Sequence, residues 1–515
     1  MTLLAAAGFL FAGCEDRPGP PTAPPGPAAR QIIPFDAGWQ FLQADALGAE
    51  RTRFDDTGWR AVDLPHDWSI AGPFDPANTT GGAGGFLPSG VGWYRKQFDA
   101  GSFPAESRVF IQFDGVMANS DVWVNGHLLG HRPYGYVGFE YELTPFLAAG
   151  GGPNLIAVRA DNSAQPASRW YTGAGIYRHV RLVVTNPIHM QSGASLVRVS
   201  RIEAGRAFIH VQTTVVNESA NPLPVSFTAS LSGPAGDGPE LHDTRHPYLT
   251  VVQAGQTTDM EVDLAVDNPS EWDVDSPTLY SAKLEVRGGG AILDQETVAF
   301  GIRESRFDAA TGFWLNGRSL KIKGVCVHGD GGAFGAAVPL GVWQRRLTEL
   351  KALGVNAIRT AHNPPDPGFL DLCDRMGFLV MDEMFDCWTV AKNPYDYHLY
   401  FDRWSKTDTR DTVRRDRNHP SIILWSAGNE IHDTPNADLS KRILTGLVQV
   451  FHDNDPTRPV TQALFRPNIS HDYDDGLADL LDVVGTNYRN SELLAAHAAR
   501  PERKIIGTEM GQTLD

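Results

Sequence analysis

Residues 421–430 read S-I-I-L-W-S-A-G-N-E, and the fold turns on how this stretch is read. Ile422, Ile423, Leu424 and Trp425 form a short apolar run, the pattern of a buried strand. Small residues and Asn429 follow, and one carboxylate, Glu430, comes just past the end. Residues 504–509, K-I-I-G-T-E, repeat the arrangement with Glu509 at the tip. A lone glutamate in such a place is usually a solvated loop acid. Two of them, each at the C-terminal tip of a strand in a βα-repeating region, point instead to the rim that carries the chemistry in parallel barrels.

Working outward, strand runs alternate with helical periods from Phe307 onward, the pattern of parallel βα units. The expected strands are 320–327, 355–359, 378–382, 422–425, 459–462, 483–487 and 504–508, with helices such as 341–353 and 439–452 between them. Glu430 then follows the fourth strand and Glu509 the seventh. An eight-stranded barrel needs one more strand and helix, yet the sequence stops at Asp515. The expectation is a (β/α)8 TIM barrel lacking its last βα unit, either a fragment or an unusual closure, since an open parallel edge is a liability.

Upstream the pattern is all-β. Up to residue 187 short alternating strands, clearest at 108–114, 120–124 and 154–160, are separated by Gly, Pro or Asn. Asn125-Gly126 is a strong hairpin signal. This reads as a two-sheet jelly roll. Its aromatic loops, at 91–94 and 169–171, offer rings to sugar faces, although core packing is the commoner fate of a tryptophan. Strands continue at 207–216, 225–231, 258–266 and 281–286, which suits an immunoglobulin-like sandwich with no evident chemistry. The expected organisation is multidomain β plus α/β: a leader and Pro-rich linker at 1–29, a jelly-roll sugar-binding domain at 30–187, an immunoglobulin-like β-sandwich at 188–304 and the barrel at 305–515.

The chain has 515 residues, 42% hydrophobic and 20% charged, ordinary for a globular protein. A formal net charge of -17 argues against nucleic acid and anionic membrane surfaces as partners. Residues 3–13 are apolar, too short to span a bilayer, and end F-A-G-C at Cys14. This resembles a bacterial lipobox, though no Lys or Arg precedes it; a plain cleaved signal peptide is the alternative. The Pro- and Gly-rich residues 17–27 read as a tether. A bacterial cell-envelope location, periplasmic, surface or secreted, follows, with the membrane touched only through a lipid anchor. Beyond Cys14 the cysteines are Cys326, Cys373 and Cys387, an odd set without C-x-x-C spacing, so buried free thiols are expected.

Two carboxylates at one rim suit glycoside hydrolysis. One protonates the departing oxygen; the other attacks the anomeric carbon or activates water. Other strand tips carry polar groups: His328 and Asp330 after the first, Arg359, His362 and Asn363 after the second, Asp382 and Glu383 after the third, Asn487 and Tyr488 after the sixth. Their convergence on one rim describes a site. His328 and His362 would donate to hydroxyls, Asn429 would bond a hydroxyl beside the reacting carbon, and Arg359 and Tyr488 would orient the ionised Glu509. The 16 histidines show no H-E-x-x-H, which speaks against a metallohydrolase.

Several motifs carry a resemblance: G-V-G-W-Y-R-K from residue 90, G-I-Y-R-H-V, K-G-V-C-V-H-G-D, I-R-T-A-H-N-P-P, D-E-M-F-D-C-W, R-D-R-N-H-P-S-I-I-L-W-S-A-G-N-E, G-T-N-Y and G-T-E. From about residue 35 on, the chain resembles glycoside hydrolase family 2, most of all its β-galactosidases. The resemblance implies Glu430 as acid/base, Glu509 as nucleophile and net retention at the anomeric carbon. It also implies substrate binding by residues matching His328, Arg359, His362, Asn429 and Tyr488. Some family galactosidases hold magnesium through an E-x-H after the third strand; here the region reads D-C-W-T from Asp386, so no cofactor or metal is expected. The expected substrate is a terminal β-galactoside or an oligosaccharide, and family members often form homo-oligomers. The rival readings are a β-glucuronidase or other family exo-glycosidase, and a non-catalytic carbohydrate-binding lipoprotein.

Overall fold

The computed structural model describes residues 29–511 apart from 105, 235–239 and 244–245. The lipobox-like segment, Cys14 and most of the Pro-rich linker lie outside the described residues. No helix among the described residues is long and apolar enough to cross a membrane.

The first domain is a jelly roll of two antiparallel sheets. One has four strands, Gln31–Pro34, Val180–Thr185, Arg108–Phe113 and Phe139–Glu142 in spatial order. The other has six: Arg60–Val62, Trp39–Leu42, Val91–Asp99, Pro153–Asp161, Ser120–Val124 and His127–Arg132. Period-two burial along Arg108–Phe113 and Ser120–Val124 turns alternate side chains inward, where Trp39, Tyr94, Ile111, Val122 and Ile156 pack between the sheets. Val124 pairs with His127, so Asn125 and Gly126 alone make the turn. Their φ values of 51° and 85° are the left-handed pair such a tight hairpin needs.

The second domain is a sandwich whose longest strand, Arg206–Asn217, pairs with Leu196–Glu203 on one side and Thr257–Asp267 on the other. The facing sheet is built on Leu223–Ser232 and Tyr280–Gly288. Val211, Phe227, Met260 and Leu284 sit in the closed core between them.

The barrel region holds seven parallel strands in chain order. They are β1 (Gly324–Val327), β2 (Ala357–Thr360), β3 (Leu379–Glu383), β4 (Ile422–Asn429), β5 (Val460–Leu464), β6 (Val484–Asn487) and β7 (Ile505–Glu509). The helices α1 (Leu340–Ala352), α2 (Pro367–Met376), α3 (His398–Asp416), α4 (Ala437–Asn454) and α5 (Asn490–Ala499) lie between them. Every residue of β4 is buried, which is why its sequence reads as a continuous run rather than an alternation. Its outward Trp425 stacks on Phe451 of α4, with ring centroids 6.0 Å apart.

The first strand is shorter than expected. Leu320 leaves the barrel and donates its N–H to Phe313, closing a small antiparallel sheet of Ser305–Asp308, Gly312–Leu315 and Arg318–Ser319 under the barrel. The parallel register starts only at Gly324, opposite Ala357. Strands β1 and β7 are not paired with each other among the described residues, and a cleft of about 800 Å³ lies along them.

The first domain docks on the rim of the barrel. Tyr134 Oη donates to the carbonyl of Met384 at 2.5 Å, Arg178 to that of Pro364 at 3.0 Å, and Arg132 pairs with buried Asp408 at 2.6 Å. Of the three described thiols, Cys373 and Cys387 are buried as expected, whereas Cys326 on β1 is exposed; none is bonded to another.

Candidate active site

Strand β4 runs four residues beyond its apolar core and delivers Asn429 and then Glu430 to the rim. Glu430 turns out of the strand with φ 44°, in the left-handed region, while its N–H still reaches the carbonyl of Ala463 at 2.8 Å. The small residues before it are required by space: a Cβ on Gly428 would meet Trp388 Nε1 at 3.0 Å. Glu509 ends β7. The amide nitrogen of Asn487, at the end of β6, lies 3.2 Å from Glu430 Oε1 and 3.5 Å from Glu509 Oε2. Those two oxygens are therefore at most about 7 Å apart, a bound that admits the separation of about 5–5.5 Å used when one carboxylate is a nucleophile.

Arg359, buried at the tip of β2, organises the floor. Its Nη2 donates to Glu383 Oε1 at 2.7 Å, its Nε to Oε2 at 3.0 Å, and its Nη1 to Glu509 Oε2 at 2.9 Å. Nη2 also reaches Asn429 Oδ1 at 2.9 Å. Glu383 is wholly buried and accepts as well from Ser426 Oγ at 2.6 Å and faces His362 Nδ1 at 2.7 Å. Burial alone would push both carboxyls up. The Arg359 charge and the bond to His362 reverse this for Glu383, and bonds from Tyr488 and Arg359 reverse it for Glu509. Both are held ionised, below the usual carboxylate range. Tyr488 itself, at φ 55°, donates its hydroxyl to Glu509 Oε1, and accepting that bond Glu509 pushes the phenol up to about 12.

His362 Nε2 comes within 3.8 Å of Glu509 Oε2. His328 stands edge-on to His362, with ring centroids 5.5 Å apart. Burial, then the neighbouring His362, lowers its pKa and so favours the neutral imidazole. Trp170, from the first domain, packs against both rings at 5.1 and 5.5 Å. Thus Arg359, His362, Asn429 and Tyr488 meet around the two glutamates, with His328 alongside. Asp330 and Asn363 make no hydrogen bond to either glutamate among the described residues; Asp330 acts on His328 through its charge. The Asp330 carboxylate caps the N–H of Gly332 at 3.1 Å, and Asn363 lines a neighbouring cavity together with His328, Asp366 and Arg178.

Glu383 and Asn487, polar strand tips to which the sequence assigns no role, belong to the site, and so do Asp386, Lys392 and Arg169, which the sequence does not single out. Arg169 crosses from the jelly roll and holds Asp386 at 2.6 and 2.8 Å. Lys392 Nζ adds a bond of 2.9 Å to Asp386 Oδ1, and Asn429 Nδ2 another of 2.9 Å. Against its burial, these cations hold Asp386 far below the usual carboxylate range. Among the described residues the one group with metal-ligand proximity is Asp371, Asp374 and His419, at the opposite end of the strands. There His419 pairs with Asp374 at 2.5 Å, and this raises it to about 9 against the effect of burial, which favours the imidazolium beside Asp374.

Comparison with known proteins agrees with this architecture. Three domain descriptions of one family match in order: glycosyl hydrolases family 2, sugar binding domain, at 81–187; glycosyl hydrolases family 2 at 197–303; and glycosyl hydrolases family 2, TIM barrel domain, at 309–512. The chain is 42% identical to the β-galactosidase BoGH2A of Bacteroides ovatus, over 94% of this chain and 60% of that protein. It is 27% identical to a β-glucuronidase of Bacteroides fragilis, over 85% of this chain and 61% of that one. A crystal structure of a glycosyl hydrolase family 2 member from Bacteroides cellulosilyticus superposes with a TM-score of 0.88 at 37% identity, covering 93% of this chain and 61% of that one. The chain thus spans about three-fifths of the length of these relatives. With three consecutive domains matched and the rim residues assembled as described, the chain belongs to glycoside hydrolase family 2.

Proposed function

We propose that the chain is the catalytic portion of a retaining exo-β-glycosidase acting on terminal β-D-galactosides. Glu509, kept ionised by Tyr488 and Arg359, attacks the anomeric carbon. Glu430 first protonates the leaving oxygen and then deprotonates the water that resolves the glycosyl intermediate. The observation that carries this reading is the single Asn487 amide within reach of both carboxylates. His328, His362, Asn429 and Trp170 form the surrounding wall that meets the sugar. Asp386 already has two cationic partners, Arg169 and Lys392, which supports chemistry without a metal. The galactoside preference rests on the name of the 42%-identical relative.

The relatives named β-glucuronidases support a second reading, in which the glycone is a glucuronide. Hydrolysis of a panel of aryl β-glycosides, with the product anomer followed by NMR, decides between them. Galactoside turnover with retention is expected; turnover of glucuronides alone transfers the assignment to the second reading, and no turnover at all leaves the carbohydrate-binding reading. For location, the apolar residues 3–13 and Cys14 support attachment at a bacterial envelope.

A further inference from the structure

The glutamate pair occupies the C-terminal ends of the strands. At their N-terminal ends a groove of about 380 Å³ runs between the immunoglobulin-like domain and the barrel, within the size range of small-ligand pockets, about 300–1,000 Å³. Its walls carry Arg198, Arg201, Arg303, Arg306, Arg417 and Arg458, against one carboxylate, Glu304. This concentration of positive charge stands out in a chain whose formal net charge is -17.

Three of the six arginines have acidic partners: Arg201 with Glu203 at 3.5 Å, Arg306 with Asp308 at 3.4 Å and Arg458 with Asp455 at 2.6 Å. Among the described residues no carboxylate pairs with Arg198, Arg303 or Arg417. Arg303 donates instead to the carbonyls of Pro420 and Ile422, both at 2.6 Å. Arg417 donates to those of Ala194 at 2.6 Å and Asn454 at 2.9 Å, and its Nε is buried with no partner. Carbonyl dipoles fix the guanidinium planes and pin the turn before β4, but they do not cancel whole charges. Burial, then the charge of Arg458, draws Arg303 down to about 9; burial, then Arg414, draws Arg417 down to about 10. Both stay cationic at neutral pH, and an anion in the groove would relieve both.

Guanidinium forks, unlike lysine ammonium groups, match the paired oxygens of carboxylate, sulfate and phosphate. A one-sign cleft with low-dielectric walls also concentrates counter-ions. Beside the arginines, the half-buried Trp314 lines the groove, with Arg306 over its ring at 4.4 Å. We propose that this groove is a binding site for an oxyanion group, sulfate, phosphate or carboxylate, taken up as the free ion or as a substituent on a sugar. The site stands apart from the two glutamates and does not depend on the reaction assigned to them.

The test is calorimetric titration of the full chain at low ionic strength with sodium sulfate, sodium phosphate, glucose 6-sulfate and glucuronate, with glucose as the neutral control. The variant is Arg198→Glu with Arg306→Glu, which leaves the carbonyl-bonded arginines in place. Saturable binding of at least one anion and none of glucose is expected, weakened about tenfold or more in the variant, with glycosidase turnover unchanged. Glucose 6-sulfate binding well above sulfate identifies a sugar-borne group; equal binding identifies the free ion. No saturable binding of any anion, or equal binding by the folded variant, overturns the proposal. If the charge reversal does not fold, Arg198→Ala with Arg306→Ala takes its place.

Discussion

Arg169 of the first domain grips Asp386 of the barrel with both prongs of its guanidinium, at 2.6 and 2.8 Å, across 217 positions of sequence. Asp386 in turn accepts from Asn429, the neighbour of Glu430. The rim is therefore built by two domains, and the jelly roll supplies part of the machinery. Arg169→Ala should lower kcat/KM on the order of 10–100-fold by loosening Asn429. Its partly exposed pair should contribute little to global stability. Steady-state kinetics beside a thermal melt separates the two effects, and Arg169→Lys should recover only part of the loss because it lacks the fork.

Replacing either glutamate tests the assigned roles. Glu430→Gln should lower turnover on the order of 10²–10⁴-fold, least for aryl substrates whose leaving group needs no proton. Glu509→Gln should abolish turnover whatever the leaving group. Comparison of nitrophenyl and alkyl galactosides makes the distinction; equal losses on both substrates for Glu430→Gln would remove its acid role.

Glu383 is a buried acid that holds Arg359, which in turn donates to Glu509. Glu383→Ala strands the buried Arg359 without its main counter-charge, a change that costs about 3–5 kcal/mol in comparable buried pairs. A fall of that size in unfolding free energy is expected in denaturant titration. Turnover should fall as well, because Arg359 is no longer aimed at Glu509.

The His419–Asp374 pair predicts a pH dependence. The folded value of about 9 lies above the ordinary 6.5, so the pair contributes its full stabilisation below about 6.5. That contribution fades as pH rises through about 9. Melting temperature should drop across this window, and His419→Gln should flatten the drop. An unchanged slope in the variant would assign the effect elsewhere.

Much of this was legible because parallel strands announce themselves. The runs ending at Arg359, Glu430 and Glu509 are short, apolar and tipped by polar groups, so the rim is legible in the sequence itself. Parity could have supplied one more residue. Asp382 and Glu383 are adjacent, and strand alternation sends only one inward; Glu383 shares its face with Met381, which packs in the barrel floor. The contacts of Arg169 with Asp386 had no local signature, since nothing in either neighbourhood specifies a partner in another domain. Asp330 and Asn363 show how a strand-tip position leaves a side chain's direction open. Both stand just past strand tips, where the chain has already turned: one caps Gly332 and the other lines a cavity beside His328. Leu320 was drawn into the first strand by its hydrophobicity, which it spends on the small sheet below.

Glu430 and Tyr488 both sit at positive φ, at 44° and 55°, where a side chain crowds its own carbonyl. Glycine at either position would relax the main chain while erasing a group that the proposed reaction needs. A copy stripped of both groups would thus hold its main chain with less strain, so endurance and the proposed turnover pull on the same two torsions in opposite directions.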